Sequence, residues 1–188
     1  MGKAVIVRDA TEQDIASIQA IYSHAVLTGS GTFEYDPPPL SEMQTRWSSV
    51  VGYGLPYIVA DIDGQVAGYG ACTPFRPRTG YRFTVEDSLY VAEAFQRRGV
   101  ASALLAELIA RCEAAGFRQM VAVIGDSGNA ASMALHRRAG FEDAGSFRSV
   151  GWKHDRWTDI VMMQRALGQG DSSPPDAAGL QIQERWGR

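Results

Sequence analysis

The sequence predicts a single α/β domain, built as a mixed β-sheet with helices on both faces. Short apolar strand-like runs alternate with helix-periodic segments along most of the chain. The most regular helix follows a strand through a glycine-containing turn, as in α/β folds. A length of 188 residues with 45% apolar and 21% charged residues suits one ordinary core. The predicted order is βααβββαβαββ, with the domain at residues 1–167.

The first half of the chain predicts one strand, two helices and the start of the sheet. Residues 4–7 are an apolar strand. Thr11, with Asp14 three residues on, predicts the N-terminus of a helix that ends near Gly29. A second capping box beginning at Ser41 predicts another helix.

The remaining elements alternate between strands and helices. A hairpin is predicted at Asp63-Gly64, a strong turn signal. Gly116 and Gly140 stand where helices need a left-handed residue at their C-termini. The further strands are residues 57–61, 66–72, 83–91, 119–124 and two runs within 144–166, and the further helices are residues 101–115 and 129–139.

Residues 168–188 have a different composition and are predicted to be a tail. The Gly-, Ser- and Pro-rich part resembles a linker. The rest is too poor in apolar residues to fold alone, although Leu180, Ile182 and Trp186 are able to dock on the domain or on a neighbour. We expect the tail to be flexible or docked and dispensable to the chemistry.

Composition excludes several classes of function. The net charge is −3 without a long basic stripe, so we expect no nucleic-acid partner. No apolar run is long enough to span a bilayer and no signal-peptide pattern is present, so we expect a cytoplasmic protein without a membrane partner. Cys72 and Cys112 are expected to be buried thiols, and no metal-ligand spacing occurs.

Residues 86–102 form the stretch that carries the chemistry. They predict a strand, a turn containing Gly99, and the start of the long helix. Such a turn directs unpaired N–H groups and the positive end of the helix dipole at one spot, which suits a phosphate. Arg97 and Arg98 add positive charge. The alternative for the turn alone is an ordinary strand-to-helix connection.

These residues resemble a known family. The pattern Gln/Arg-x-x-Gly-x-Gly/Ala resembles the acetyl-CoA pyrophosphate loop of the GNAT N-acetyltransferases, with Ala101 in place of the commoner Gly. Over residues 4–167 the sequence most resembles the phosphinothricin and methionine sulfoximine acetyltransferase branch. The matching segments are residues 31–34, 64–69, 75–77, 81–82, 84–91, 96–99, 121–124, 128–132, 135–136, 140–141, 150–153 and 157–159.

The resemblance implies that acetyl-CoA is the cosubstrate. Backbone N–H groups near Leu89 would stabilise the oxyanion and pair with the pantetheine amides. The ring of Tyr90 is more readily explained as a packed aromatic side chain. Asn129 is an N-cap by position, and the family's equivalent contacts the cofactor arm, so both roles are compatible. The cofactor-binding residues are Leu89, Tyr90, Val91, Arg97, Arg98, Gly99, Val100, Ala101, Ser102 and Asn129.

Two residues are candidates for proton transfer. An ammonium group has no lone pair, so Glu86 beside the acyl-binding turn would take its proton. The alternatives for Glu86 are a solvated edge carboxylate or a group that only orients the substrate. His136 occupies the position where many relatives carry a Tyr that protonates the leaving thiolate. It either acts as that acid or packs near the sulfur without transferring a proton.

The amine substrate is predicted to bind at the loop that precedes the strand of Glu86. Arg76, Arg78 and Arg82 lie within seven residues, beside Phe75, and would bind a small anion such as an α-carboxylate. The alternative is a solvated basic loop. Phe33 lies in a glycine- and proline-rich loop that is either a packed connection or a wall of the substrate pocket.

The sequence therefore predicts acetyl transfer from acetyl-CoA to the amine of a small amino-acid-like substrate, of the phosphinothricin or methionine sulfoximine type. Two alternatives stay open. One is acetylation of a protein N-terminus or another amine, and the other is a non-catalytic acyl-CoA sensor. The branch resemblance also implies a homodimer.

Overall fold

The computed structural model describes residues 4–182, and Trp186 of the predicted tail lies outside the described residues. The order βααβββαβαββ is confirmed. The helices are α1 (Ile15–Thr28), α2 (Leu40–Gly52), α3 (Val100–Ala114) and α4 (Ala130–Arg138). The strands are β1 (Ile6–Asp9), β2 (Tyr57–Ile62), β3 (Gln65–Pro74), β4 (Thr84–Val91), β5 (Gln119–Gly125), β6 (Glu142–Lys153) and β7 (Arg156–Ala166).

The seven strands form one mixed sheet in the order β1-β2-β3-β4-β5-β7-β6. All neighbours are antiparallel except β4 and β5, which are parallel. β4 pairs with β3 from Val85 to Val91, but within the described residues it pairs with β5 only from Thr84 to Asp87. The two parallel strands therefore separate after Asp87, and this fork positions the site.

Helices cover both faces of the sheet. Tyr22 of α1 packs against Tyr90 of β4, with ring centroids 5.0 Å apart. On the opposite face Cys112 of α3 lies against Cys72 of β3. Since strand side chains alternate between faces, neighbouring residues of β4 contact different helices. The predicted α/β sandwich with helices on both faces is confirmed, and the structure places α1 and α2 on one face and α3 and α4 on the other.

Helix starts show where local signals were sufficient and where they were not. Thr11 precedes a 3-10 turn over Glu12–Asp14 that leads into α1, and Asp14 accepts hydrogen bonds from the backbone N–H and the hydroxyl of Thr11, at 2.8 and 2.9 Å. The predicted start of α2 at Ser41 is wrong. The helix begins at Leu40, and the Pro39 carbonyl accepts the N–H groups of residues 42 and 43. Proline fixes a φ that suits this position, and so it overrides the weaker Ser41 signal.

The described part of the tail packs on the domain. Arg118 donates hydrogen bonds to the carbonyl oxygens of Gly170 and Pro174, at 3.0 and 2.9 Å. Leu180 is buried, and its N–H donates to the Arg82 carbonyl at 2.9 Å. Residues 168–182 therefore contact the loop that leads into β4. Within residues 4–182 no helix combines the length and apolar content needed to cross a membrane.

Candidate active site

A cavity of about 780 Å³ lies at the fork between β4 and β5. Its walls come from β4 and β5, the turn before α3, the start of α4 and the loop after α1. Most of the residues predicted for cofactor and catalysis line this cavity, namely Glu86, Leu89, Tyr90, Val91, Arg97, Gly99, Val100, Ala101, Ser102, Asn129 and His136. The fold thus brings together residues separated by up to fifty positions in the sequence.

The turn before α3 has the geometry of an anion site. Gly99 is the N-cap of α3 with φ of +82°, a left-handed conformation that favours glycine. A Cβ built at Gly99 has no heavy atom within 4 Å, so the backbone faces open space. Arg97 lines the cavity, whereas Arg98 does not and lies over the Phe95 ring at 5.4 Å. Positive charge and free N–H groups at this helix end favour a phosphate.

The backbone of β4 beyond Asp87 is bonded on one side only. Residues 88–91 pair with β3, and no β5 pairing continues past Asp87↔Ala122 among the described strands. Alternate N–H groups of an antiparallel strand point away from its partner. Those of residues 88–91 that point away from β3 therefore face the fork, where an acyl oxygen or an amide arm is able to accept them.

Glu86 lies on the α1/α2 face of β4, directly opposite Thr73 of β3. The carboxylate is partly buried and lines the fork cavity. Burial raises the pKa of Glu86, the charge of Arg76 opposes this, and Asp87 adds to it, so the pKa is raised above the ordinary glutamate value. A carboxylate with a raised pKa is a better base for an ammonium proton.

His136 is buried at the other side of the fork. Its Nδ1 lies 2.8 Å from the carbonyl oxygen of Ser132, and its Nε2 lies 3.1 Å from Oδ2 of Asp87. The Phe141 ring packs edge-on at 5.0 Å between centroids. The imidazole is therefore held on three sides.

Asn129 caps α4, as predicted. Its side-chain oxygen accepts the Ser132 N–H at 3.2 Å, and the residue also lines the fork cavity. Sequence reasoning missed Asp87, Ser132 and Arg138, which line the same cavity. Asp87 is adjacent to Glu86, but its contact with His136 forms only when α4 packs on the sheet. No local sequence pattern reveals that contact.

The loop after α1 is both a packed connection and a wall of the cavity. Gly31, Thr32 and Phe33 line it. Lys153 of β6 is buried and donates to the carbonyl oxygens of Gly29 and Thr32, at 3.0 and 2.8 Å. Burial lowers the pKa of Lys153 despite the opposing charge of Glu34.

Close packing fixes the position of Phe33. A Cβ built on Gly151 would lie 2.0 Å from the Phe33 ring, so the ring rests directly on the β6 backbone. Likewise, a Cβ at Gly125 would lie 2.3 Å from the Ser30 carbonyl oxygen. Both glycines therefore allow the loop to approach the sheet closely.

The arginine loop lies at the entrance to β4, and Arg76, Arg78 and Arg82 do not line the fork cavity. Arg76 is exposed, lies over the Phe75 ring at 4.5 Å and exerts its charge on Glu86. Arg78 is also exposed. Arg82 lies over the Phe83 ring at 4.6 Å and donates to the Thr79 carbonyl, so its side chain is engaged within the loop.

A second cavity of about 390 Å³ lies on the Glu86 face, between α2 and the sheet. It shares Ser88 and Tyr90 with the fork cavity. Its walls also include Tyr22, Met43, Arg46, Val50, Tyr57, Tyr69 and Thr73. Arg46 is paired with Glu34 at 2.7 Å and Glu42 at 3.0 Å, so its charge is balanced. This cavity suits an uncharged group.

Within residues 4–182, no group of three or more His, Cys, Asp or Glu side chains is arranged to hold a metal ion.

Comparison with known proteins agrees with the family resemblance found in the sequence. Residues 18–141 match the sequence model of the acetyltransferase (GNAT) family. The chain is 49% identical over 173 residues to a phosphinothricin N-acetyltransferase of Alcaligenes faecalis, covering 92% of this chain and 88% of the relative. It is 41% identical over 169 residues to an L-methionine sulfoximine/L-methionine sulfone acetyltransferase of Pseudomonas paraeruginosa, covering 89% and 98%.

A solved structure agrees with these relatives. A GNAT superfamily phosphinothricin acetyltransferase from Sinorhizobium meliloti, in complex with acetyl-CoA, superposes with a TM-score of 0.90 at 46% identity. The match covers 93% of this chain and 95% of that one. The chain therefore belongs to the GNAT acetyltransferase family, as its motifs predicted, and is an N-acetyltransferase that uses acetyl-CoA as its acetyl donor.

Proposed function

We propose that the protein acetylates the primary amine of a small amino-acid-like substrate, of the phosphinothricin or methionine sulfoximine type. The amine attacks the thioester carbonyl directly, and Glu86 takes its proton. N–H groups of β4 near Leu89 stabilise the oxyanion, and the turn at Gly99 binds the pyrophosphate. His136 faces the leaving sulfur.

The observation that carries this proposal is the position of Glu86. It is the carboxylate on the α1/α2 face of β4, it lines the fork, and burial raises its pKa. A pocket that only sensed acyl-CoA would have no need of a base there. The relatives named for phosphinothricin and methionine sulfoximine support the substrate class.

The α1/α2 face of the sheet has separate contacts for the carboxylate and for the side chain of an amino acid. Arg76 lies near Glu86 and is exposed, so it is available to an α-carboxylate when the amine lies at Glu86. The second cavity adjoins Ser88 on the same face and has no unbalanced arginine, which suits an uncharged side chain. A protein N-terminus has no free α-carboxylate for Arg76.

Thiol release from acetyl-CoA tests whether the protein is an enzyme of this kind. We expect thiol release that depends on added methionine sulfone, methionine sulfoximine or phosphinothricin, and little release without an amine. Acetyl-CoA binding with no turnover on any amine would instead support the sensor.

We expect Arg76→Ala to raise KM for the amine substrate by about ten- to a hundredfold, since a charge-assisted contact contributes about 1.5–3 kcal/mol. Arg78→Ala should have a smaller effect. Steady-state kinetics should show an unchanged KM for acetyl-CoA, because the phosphates bind at the far end of the fork. Arg76→Lys should recover only part of the loss if the contact is bidentate.

The control for Arg76 is Arg137→Ala, which removes an equal charge from an exposed pair with Asp143. It should leave both KM values unchanged. The carboxylate contact is refuted if wild type and Arg76→Ala discriminate equally between an amino acid and its amide.

We further propose that the protein is a homodimer, formed through the β6–β7 hairpin. Trp152 and Trp157 form an edge-on pair with centroids 5.3 Å apart, and they are 46% and 61% exposed. Phe147 and Val150 on β6 are each 52% exposed. Apolar side chains concentrated on an edge strand are typical of an interaction surface.

Light scattering tests this assembly. We expect wild type to have twice the chain mass of 20.4 kDa, and Trp157→Lys to shift it towards one chain. A wild-type mass of one chain at micromolar concentration would refute the dimer. Gln13→Lys, at an exposed position between β1 and α1 and far from the hairpin, is the control for the added charge.

We also propose that the protein works in the cytoplasm. Its donor is acetyl-CoA, and Cys72 and Cys112 are free thiols with sulfur atoms 3.6 Å apart, as expected in a reducing compartment. Recovery of the protein in another fraction after cell fractionation would contradict this.

A further inference from the structure

Asp87 lies at the point where the sheet divides. It forms the last β4–β5 pair, opposite Ala122, and its side chain is on the α3/α4 face, opposite to that of Glu86. Its side chain is only 2% exposed, yet the residue lines the fork cavity. The only side-chain hydrogen bond of Asp87 within the described residues goes to His136, and its second oxygen, Oδ1, has no partner there.

The hydrogen bonds of His136 determine how many protons the pair holds. The Ser132 carbonyl oxygen can only accept, so Nδ1, 2.8 Å away, carries a proton. The other nitrogen, Nε2, is 3.1 Å from a carboxylate oxygen of Asp87. Two lone pairs would repel there, so this contact needs a second proton. The geometry therefore favours an imidazolium paired with a carboxylate.

Among the charged groups around the pair, Asp87 has the main effect on the pKa of His136. Burial lowers the pKa of His136, but the hydrogen bond and charge of Asp87 and the Ser132 carbonyl outweigh it, so the pKa is raised. Cys72 faces Asp87 from β3, and its hydrogen bond with Cys112, burial and Asp87 together raise its pKa, so it stays a neutral thiol. The other groups around the pair are Glu86 on β4, Arg138 on the cavity wall, the Phe141 ring, and the apolar Ala122 and Ile124 of β5.

We propose that Asp87 is a positioning residue that holds His136 in its protonated form for the departure of the thiolate. This inference rests on the proposed function. The amine nitrogen forms the new C–N bond and gives a proton to Glu86. The C–S bond then breaks, and the sulfur keeps the electron pair. The thiolate leaves beside the imidazolium, whose positive charge stabilises it, and takes its proton from solvent, while both N–H groups of His136 stay bonded to Ser132 and Asp87.

The location of the contact suits this step. Because Asp87 ends the β4–β5 pairing, its contact with His136 is at the base of the fork, where the thioester sulfur must lie if the carbonyl oxygen reaches the N–H groups of residues 88–91. A free thiol has a pKa of about 8.5, so coenzyme A departs readily as a thiolate near neutral pH, and the positive charge of a neighbouring imidazolium favours that departure further.

Asp87→Asn tests the proposal, because it keeps the shape and removes the charge. We expect kcat to fall about tenfold at neutral pH while the Kd for acetyl-CoA and KM for the amine change less than about twofold. The alkaline limb of the kcat profile, where wild type loses the ring proton, should move to lower pH by about one unit or more. In a His136→Gln background the same change should cost less than about twofold further.

A second readout does not depend on activity. NMR titration of the imidazole signals should show His136 titrating above 6.5 in wild type and lower in Asp87→Asn, with His24 and His154 unchanged as internal controls. A wild-type His136 that titrates below 6.5, or equal pH profiles for wild type and Asp87→Asn, overturns the proposal. The wild-type titration decides the matter even if the variant does not fold. If wild type acetylates no amine, the proposed function fails, and the titration still reports on the pair.

Discussion

Glu86→Gln is expected to lower kcat by about 10²–10⁴-fold, the usual range for loss of a positioned base. Glutamine keeps the size of the side chain and one acceptor oxygen, but it cannot take a proton. The wild-type rate should fall as pH drops through the raised pKa of Glu86. In the variant this limb should disappear, and the rate should follow the fraction of amine that is unprotonated in bulk solution. Steady-state kinetics across pH measure both effects.

The control for Glu86 is Glu142→Gln, which neutralises an exposed carboxylate on β6. It should leave kcat and its pH dependence unchanged. Near-normal turnover of Glu86→Gln at neutral pH would mean that Glu86 only orients the substrate. The proton would then leave by another route.

Gly99→Asp is expected to raise the Kd for acetyl-CoA by about a hundredfold or more, without unfolding the domain. The new carboxylate would stand at the N-terminus of α3, where the pyrophosphate must approach, and like charges placed together cost several kcal/mol. A Cβ at Gly99 meets no heavy atom within 4 Å, so the side chain fits sterically. Calorimetric titration of acetyl-CoA into the folded variant measures the loss.

Gly99→Asn provides a closely matched control. Asn has nearly the same shape as Asp and tolerates the left-handed conformation that φ of +82° requires, but it carries no charge. We expect Asn to weaken binding much less than Asp. Equal losses for the two would assign the effect to backbone strain, and wild-type affinity for Asp would refute the phosphate site.

The order of the elements followed from the sequence because the signals for strands, helices and turns are local. Thr11 with Asp14 marks a helix start, and Asn129 both starts α4 and accepts the Ser132 N–H. The incorrect start at Ser41 arose where two local signals competed. The Pro39 carbonyl already accepted the first N–H groups of α2.

The site was predictable where residues adjoin one another in sequence. The turn at Gly99 and the strand with Glu86 share one continuous stretch, and the family motif covers both. The contact of His136 with Asp87 was not predictable, because it joins residues 49 positions apart whose side chains meet only after α4 packs on the sheet. The same is true of Lys153, which is buried against the loop of Phe33 from the far end of the chain.

The placement of arginines shows the limit of composition as a guide. Arg76 and Arg82 belong to the same basic loop, and both were predicted to bind the substrate. Only Arg76 exerts its charge on Glu86, while Arg82 lies over Phe83 and its carbonyl accepts the Leu180 N–H of the tail. This tail contact involves a residue about a hundred positions away, which composition alone does not reveal.

The acceptor is expected to be the amine of a free amino acid. A competition in one reaction tests it most directly. Wild type, limiting acetyl-CoA, and equal concentrations of methionine sulfone, its amide and a short peptide with a free N-terminus are mixed, and the acetylated products are quantified by mass spectrometry. Product ratios equal ratios of kcat/KM. We expect N-acetylmethionine sulfone to exceed the other two products by about tenfold or more. A majority of acetylated peptide would contradict the account and favour a protein N-terminus as the acceptor.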